Sequence, residues 1–196
     1  MTGAAVTHLL YLHGFRSSPQ STKARRMARW LAENRPDLVW HCPPLPPSPA
    51  QAISEVLAHV RHWPRATTGI IGSSLGGFYA TVLAERLGCR AVLLNPAVDP
   101  ARDLSKYIGE ITAWHSDERF HFRPEFVDEL RRLSPATLTD CERYLAILAK
   151  GDEVLDWREM SARYAGCRVK LLEASDHALS DFEQHLPDVL AFLGLN

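Results

Sequence analysis

The sequence lacks the signals that would direct a chain into or across a membrane. No apolar run approaches the length of about 18 residues that suggests a membrane-spanning helix. The first residues, Met-Thr-Gly-Ala-Ala, have neither the charged start nor the long apolar stretch of a secretory signal peptide. We therefore expect a cytoplasmic protein without a membrane span.

The chain also lacks an excess of charge of either sign. It has 22 basic and 23 acidic residues, whereas dedicated nucleic-acid binders usually carry a strong basic excess. We therefore expect no nucleic-acid partner. One local basic cluster is either the solvated face of a helix or an anchor for an anionic substrate group, such as the phosphates of coenzyme A. Its members are Lys23, Arg25, Arg26 and Arg29.

Motifs for metals, redox chemistry and nucleotide cofactors are missing as well. The four cysteines form no C-x-x-C pair, and scattered thiols of this kind usually serve as small apolar side chains in a reducing compartment. None of the nine histidines lies in H-E-x-x-H or another ligand spacing. Since G-x-G-x-x-G and Walker A motifs are also absent, the sequence predicts neither a metal site nor a cofactor.

The order of apolar segments predicts a single α/β domain. A chain of 196 residues, 46% of them apolar, can bury a full core without disulfides or metals. Short apolar runs predict strands over 8–12, 38–42, 67–72, 89–94, 144–149 and 168–172, and helical spacings alternate with them at 21–33, 50–63, 75–87 and 180–193. This alternation is typical of a mostly parallel sheet of about six strands with helices on both faces.

Two segments interrupt the alternation. Residues 43–49 contain five prolines and are either a stiff connection into the next helix or a polyproline ligand. Residues 94–144 show no clear strand, although a helix is expected over 123–133 and aromatic residues such as Trp114, Phe120 and Phe122 are frequent. The insertion at about 99–140 is therefore interpreted either as a cap over a substrate site or as a long helical crossover.

The motif G-x-S-x-G centres on Ser74, at the end of a predicted strand and the start of a predicted helix. Such a turn exposes a nucleophilic serine, and the residues two before and two after it must be small because the strand and helix backbones crowd there. Gly72 and Gly76 meet that requirement. Ser73 does not qualify, because its corresponding neighbours are bulky.

A serine hydroxyl needs a base, and the base needs an orienting acid. In chains with this turn the order is serine, then an acid, then histidine. Asp152 directly follows the predicted strand 144–149 and is the candidate acid, with Glu153 and Asp156 as neighbours that could be mistaken for it. Asp99, after the predicted fourth strand, is the alternative acid.

The candidate base is His177, which lies in the loop after the last predicted strand. His185 falls in the final helix, where it is expected to face solvent or to pack structurally, and His115 and His121 lie in the insertion. A single histidine is more often structural than catalytic. Its place in the chain order is what favours His177.

Two backbone amides are expected to stabilise the negative charge of a tetrahedral intermediate. One belongs to Leu75, next to the serine, and the other to Phe15, in the loop after the first predicted strand. Gly14 permits a close backbone approach. The alternative is that His13 and Gly14 form an ordinary strand-ending turn.

Several segments resemble the YqiA/YcfP family of small bacterial α/β-hydrolase esterases. They are YLHGFRSSPQSTKA, IGSSLGGFYAT, LLNPAV, GDEVLD and SDHALSDFE. The resemblance spans nearly the whole chain. It implies a compact hydrolase with esterase activity, on acyl thioesters in some members, and a triad of Ser74, Asp152 and His177.

The main hypothesis is a serine esterase that hydrolyses a small-molecule ester through an acyl-enzyme on this triad, without a cofactor. One alternative is an acyl-CoA thioesterase that uses the same triad. Another is a binding protein that has kept the fold and lost catalysis, since fold alone does not establish function. The sequence leaves the oligomeric state open.

Overall fold

The computed structural model describes residues 4–112 and 119–195, and its centre is a six-stranded parallel sheet. In chain order, the strands are β1 (His8–Leu12), β2 (Val39–His41), β3 (Thr68–Ser73), β4 (Arg90–Leu94), β5 (Gly109–Thr112), β6 (Arg119–Phe122), β7 (Tyr144–Ala149) and β8 (Arg168–Leu172). The order in the sheet is β2-β1-β3-β4-β7-β8, and every neighbouring pair is parallel. The predicted α/β fold with six strands is confirmed.

Helices cover both faces of this sheet. They are α1 (Thr22–Asn34), α2 (Pro49–Val60), α3 (Leu75–Leu87), α4 (Pro100–Leu104), α5 (Pro124–Leu133), α6 (Trp157–Arg163) and α7 (Phe182–Leu193). Because successive side chains of a strand point to opposite faces, Leu10 and Leu12 of β1 join the layer of α2 and α3, whereas Leu9 and Tyr11 join the layer of α1 and α7. The inner strands therefore bury apolar side chains on both faces of the sheet.

The two edge strands are more exposed than the central ones. Val39 of β2 is exposed, as are Val169 and Leu171 of β8, whereas β3 and β7 are buried along their whole length. β8 lies at the edge of the sheet and pairs on one side only, so its side chains are more exposed than those of the central strands.

The expectation that residues 94–144 contain no strand is wrong. β5 and β6 pair as an antiparallel hairpin, with Glu110 opposite His121 and Ile111 opposite Phe120. Ile111, Phe120 and Phe122 pack against the core, which stabilises strands of only four residues. Trp114 and His115 lie outside the described residues.

The proline-rich segment leads directly into α2. Pro49 occupies the first helical position, where a missing N–H costs nothing, and the Ser48 hydroxyl accepts a hydrogen bond of 3.2 Å from the Gln51 amide. Among the described helices, the longest have 13 residues, and none combines the length and apolarity needed to cross a membrane.

Candidate active site

The loops that follow β1, β3, β7 and β8 meet at one edge of the sheet. Parallel strands bring their carboxyl ends to the same side, so residues far apart in sequence converge there. Gly14, Ser74, Asp152 and His177 all lie in these loops. The site is therefore assembled by the order of the strands.

Ser74 occupies a strained turn between β3 and α3. Its backbone φ and ψ are 56° and −121°, a region that residues other than glycine rarely adopt. The conformation is held from both sides: the Ser74 amide donates to the Leu94 carbonyl, and the Ala97 amide donates to the Ser74 carbonyl, each at 3.0 Å. The turn thus presents the serine hydroxyl away from the strand.

Glycine is required on both sides of this turn. A Cβ atom on Gly72 would lie 2.1 Å from the Gly76 carbonyl oxygen, and one on Gly76 would lie 2.0 Å from the Leu12 carbonyl oxygen. Both neighbours are backbone atoms and cannot rotate away. Gly76 therefore allows α3 to pack directly against the end of β1.

We expect Gly76→Ala to destabilise the protein by more than about 3 kcal/mol, because the new methyl group must displace backbone rather than a side chain. The measurement is the free energy of unfolding in denaturant. Gly88→Ala is the matched control, since a Cβ there meets nothing within 4 Å and only the left-handed backbone is disfavoured, which costs about 1–2 kcal/mol. Equal losses in the two variants would contradict the packing argument.

The three side chains of the predicted triad form one continuous hydrogen-bonded chain. His177 Nδ1 lies 2.7 Å from Asp152 Oδ2, and His177 Nε2 lies 3.0 Å from Ser74 Oγ. Because a carboxylate only accepts, Nδ1 donates to Asp152 and Nε2 is left to accept the Ser74 hydroxyl. This is the arrangement that general-base activation of a serine requires.

The Asp152 carboxylate is buried and held in one orientation. Its side chain is 0% exposed, and its second oxygen, Oδ1, accepts hydrogen bonds of 2.8 Å from the amides of Val154 and Leu155. Oδ2 is thereby directed at His177. The loop after β7 folds around the acid rather than presenting it to solvent.

The other candidate acids serve different contacts. Asp99 Oδ1 accepts the Arg102 amide at the start of α4, and Asp156 Oδ1 accepts the Arg158 amide at the start of α6. Glu153 accepts the backbone amide of His177 at 3.0 Å and does not contact the imidazole. Asp152 is thus the carboxylate that the structure brings to the His177 ring.

His185, on α7, is buried and packs structurally. Its Nε2 lies 3.2 Å from Asp181 Oδ2 and its Nδ1 lies 3.1 Å from Lys170 Nζ. His121 is exposed on β6.

The loop after β1 lies directly against Ser74. A Cβ atom on Gly14 would come within 3.2 Å of Ser74 Cβ, so glycine permits this approach. His13 is buried, and its Nδ1 lies 3.0 Å from the Gly14 carbonyl oxygen, to which it donates. Burial lowers the pKa of His13, so its ring is a neutral packing group in this turn.

The two amides expected to receive an oxyanion both border the serine. Leu75 is the first residue of α3, where backbone N–H groups have no partner within the helix. Within the described ranges, neither the Leu75 amide nor the Phe15 amide donates to another group. Both residues line the same cavity as Ser74 and His177.

The family model described as "Uncharacterised protein family (UPF0227)" matches residues 8–194. This chain belongs to that family. UPF0227 is the YqiA/YcfP family, so the resemblance read from the sequence is confirmed. A UPF0227 protein of Shewanella oneidensis is 25% identical over 192 residues, which cover 94% of this chain and 98% of the relative.

Solved α/β hydrolases share the fold of this UPF0227 chain. One of the metagenome-derived lipolytic enzymes LipS and LipT has a TM-score of 0.69 at 20% identity, covering 100% of this chain and 97% of that chain. Est1E from Butyrivibrio proteoclasticus, solved with ferulic acid bound, has a TM-score of 0.68 at 14% identity, covering 97% and 89%. These likenesses establish the α/β-hydrolase fold.

Two small cavities of the UPF0227 chain flank the serine. One, of about 180 Å³, opens beside Ser74 and His177 and has an apolar wall from Leu104, Tyr107 and Leu155. The charged residues Arg16, Asp103 and Lys106 also line it. The second, of about 130 Å³, lies behind the loop of residues 13–17 and is lined by four residues of the proline-rich segment and by β6 of the hairpin. The proline-rich segment therefore contributes a wall to this site, which the sequence did not suggest.

The β5–β6 hairpin covers the loop that carries Phe15. The Phe15 ring contacts Phe122 and Tyr107 at centroid distances of 5.4 and 5.5 Å, and Arg16 Nε donates to the Thr112 carbonyl at 2.6 Å. Phe120 and Phe122 of the hairpin also line the second cavity. The interpretation of the insertion at about 99–140 as a cap stays a prediction.

The basic cluster lies on α1, away from both cavities. Arg26 forms a 2.8 Å ion pair with Glu183 on α7, and Lys23 Nζ donates to the Ala178 carbonyl. Burial lowers the pKa of Lys23 to about 8. Arg25 and Arg29 are exposed, and none of the four residues lines either cavity.

In the described ranges, no group of three His, Cys, Asp or Glu side chains is arranged to hold a metal ion.

Proposed function

We propose that this chain is a serine esterase that hydrolyses small carboxylic esters through an acyl-enzyme. The observation that carries the proposal is the hydrogen-bonded chain from Asp152 through His177 to Ser74 on a strained turn. The names of the solved neighbours, lipolytic enzymes and the ferulic-acid-binding Est1E, agree with ester chemistry on this fold. Strain of this kind persists where function uses it.

In the first half of the reaction, Ser74 Oγ attacks the ester carbonyl carbon while His177 Nε2 takes the hydroxyl proton. The carbonyl oxygen becomes an oxyanion that accepts hydrogen bonds from the Leu75 and Phe15 amides. The imidazolium is stabilised by Asp152, 2.7 Å from Nδ1. When the intermediate collapses, the carbon–oxygen bond to the alcohol breaks and His177 returns its proton to the departing oxygen.

In the second half, His177 takes a proton from water as the water oxygen attacks the acyl carbon. The bond from that carbon to Ser74 Oγ then breaks, His177 returns the proton to Oγ, and the acid product leaves. The cavity beside Ser74 accepts the hydrocarbon part of a substrate against its apolar wall of Leu104, Tyr107 and Leu155. Its charged lining residues are Arg16, Asp103 and Lys106. Its volume of about 180 Å³ suits a short acyl or aryl group. Small apolar esters are therefore the proposed substrate class.

We expect p-nitrophenyl esters to be turned over with a higher kcat/KM than coenzyme A esters of the same acyl group. The three arginines of α1 do not line the cavities, so neutralising Arg25, Arg26 and Arg29 to glutamine should alter KM for either class by less than about threefold, in line with the small energies of exposed charges. The measurement is steady-state kinetics on matched p-nitrophenyl and coenzyme A esters.

A rise in KM for the coenzyme A esters alone would instead support the acyl-CoA thioesterase alternative, with α1 as the phosphate anchor. Arg131 and Arg132, exposed on α5, supply the control: their neutralisation makes the same kind of change in charge on another helix. A rise in both KM values would indicate a general effect of charge. No turnover of any ester would favour the binding-protein alternative.

A further inference from the structure

We propose that Asn95 is a positioning residue that holds the loop of the catalytic base in register with the loop of the acid. The proposal rests on the proposed function, because it concerns the same triad. Asn95 follows β4 directly, is 0% exposed and has a backbone φ of 44°. It contacts none of the reacting groups and acts through the backbone that carries them.

The Asn95 side chain uses both of its N–H donors and its oxygen acceptor to join two loops. Nδ2 donates to the carbonyls of Asp176 and His177 at 3.0 and 3.2 Å, and Oδ1 accepts the Ala149 amide at 2.8 Å. Its backbone amide donates to the Ile147 carbonyl at 3.0 Å. Because two partners are carbonyls and one is an N–H, the orientation of the side-chain amide is fixed by its surroundings.

These contacts join the three parts of the triad. Ala149 is the last residue of β7, three positions before Asp152, and His177 is the base itself. The residue before Asn95, Leu94, accepts the amide of Ser74 at 3.0 Å. The end of β4 is thus bonded to the loops of the nucleophile, the acid and the base.

The loop of the base needs such constraints because its backbone is strained. Ser175 and Leu179, on either side of His177, have φ values of 134° and 48°. Residues other than glycine hold such conformations only where the surroundings overdetermine them. Asn95 supplies two of the hydrogen bonds that do so, at the centre of this stretch.

Other contacts would keep the loop near its place without Asn95. The His177 amide donates to Glu153, and Lys23 Nζ donates to the Ala178 carbonyl. A Cβ on Gly151 would lie 2.3 Å from the Ser175 carbonyl oxygen, so the two loops are also in direct backbone contact. We therefore expect a displaced imidazole rather than an unfolded loop when Asn95 is changed.

The test is Asn95→Asp, which keeps the size of the side chain and the acceptor for Ala149 but places a carboxylate oxygen against two carbonyl oxygens. We expect kcat to fall about 100-fold with KM nearly unchanged, since a misplacement of about 1 Å costs this much. The profile of kcat/KM against pH should change as well, because the imidazole is displaced from Asp152 and a new carboxylate lies in its loop.

Thr81→Val is the matched control for loss of a buried hydrogen bond. Thr81 Oγ1 bonds to Tyr164 Oη at 2.8 Å, on a helix face away from the reacting groups. This variant should lose thermal stability while keeping kcat and the pH profile. If Asn95→Asp behaves in the same way, with lowered stability but unchanged kcat and profile per folded molecule, the positioning role is overturned.

A second measurement does not depend on a substrate. The Nδ1 proton of His177, donated to Asp152, should give a downfield resonance in the proton NMR spectrum, assigned by its loss in His177→Ala. We expect Asn95→Asp to shift or broaden that resonance and Thr81→Val to leave it in place. An unchanged resonance in Asn95→Asp would overturn the positioning role, whereas ester hydrolysis that survives Ser74→Ala would overturn the proposed function alone.

Discussion

Replacing Ser74 by alanine is expected to lower kcat for ester hydrolysis by about 10⁶-fold, the loss typical of a triad without its nucleophile. Without the hydroxyl no acyl-enzyme can form, and His177 Nε2 loses the group from which it takes a proton, now 3.0 Å away. The fold should be unaffected, because the amide and carbonyl of residue 74 make the backbone contacts to Leu94 and Ala97.

The measurement is steady-state hydrolysis of a short panel of p-nitrophenyl esters, with mass spectrometry of the quenched enzyme to locate the acyl group on residue 74. Ser73→Ala is the matched control, because it removes the hydroxyl of the neighbouring residue. Ser73 is the last residue of β3. The control should retain turnover. If Ser74→Ala and the wild type hydrolyse equally fast, the triad is not the catalytic unit and the nucleophile must be sought elsewhere.

The inner strands of the fold are readily predicted from the sequence. β7 has the predicted bounds of 144–149, because a strand buried on both faces of a parallel sheet shows an unbroken apolar run between turns. The edge strand β8 also has its predicted bounds of 168–172, although Arg168 and Lys170 interrupt its apolar run. The β5–β6 hairpin could not be predicted in this way. Its strands have four residues each, and their stability comes from Phe120 and Phe122 packing on Phe15, more than 100 residues earlier in the chain.

The short helices α4 and α6 could not be predicted from the sequence for a related reason. α4 has five residues and α6 has seven, which is too few for a helical period to stand out from the surrounding sequence. Their ends are defined instead by side-chain caps, from Asp99 and Asp156. Those same carboxylates compete with Asp152 in a sequence-based search for the acid, because a cap and a catalytic carboxylate look alike until their partners are known.

The candidate triad could be predicted because the chemistry prescribes residue types, chain order and small neighbours. The walls of the cavities and the role of Asn95 could not. Leu104 and Tyr107 come from the segment after β4 and Leu155 from the loop after β7, and all three are ordinary apolar residues. Asn95 is one polar residue after a strand, and only its contacts with Ala149 and the loop of His177 distinguish it from a turn residue.

Asp152→Asn is expected to lower kcat by about 10⁴-fold, through the tautomer of His177 rather than through loss of contact. The amides of Val154 and Leu155 both donate to Oδ1, so the asparagine must place its one carbonyl oxygen there and turn its NH₂ group toward His177 Nδ1. Nδ1 then has to accept, and the ring proton moves to Nε2. That nitrogen would face the Ser74 hydroxyl as a donor and could no longer remove its proton.

The same kinetics on Asp99→Asn and Asp156→Asn separate this effect from a general change in charge. Both side chains cap helices through an oxygen that asparagine retains, so each variant should keep kcat within about threefold, as expected for exposed groups. We also expect the loss in Asp152→Asn to appear in kcat while the thermal stability stays nearly unchanged, because both loop amides keep their acceptor. A loss of about 10⁴-fold in Asp99→Asn, with Asp152→Asn active, would move the acid to the end of β4.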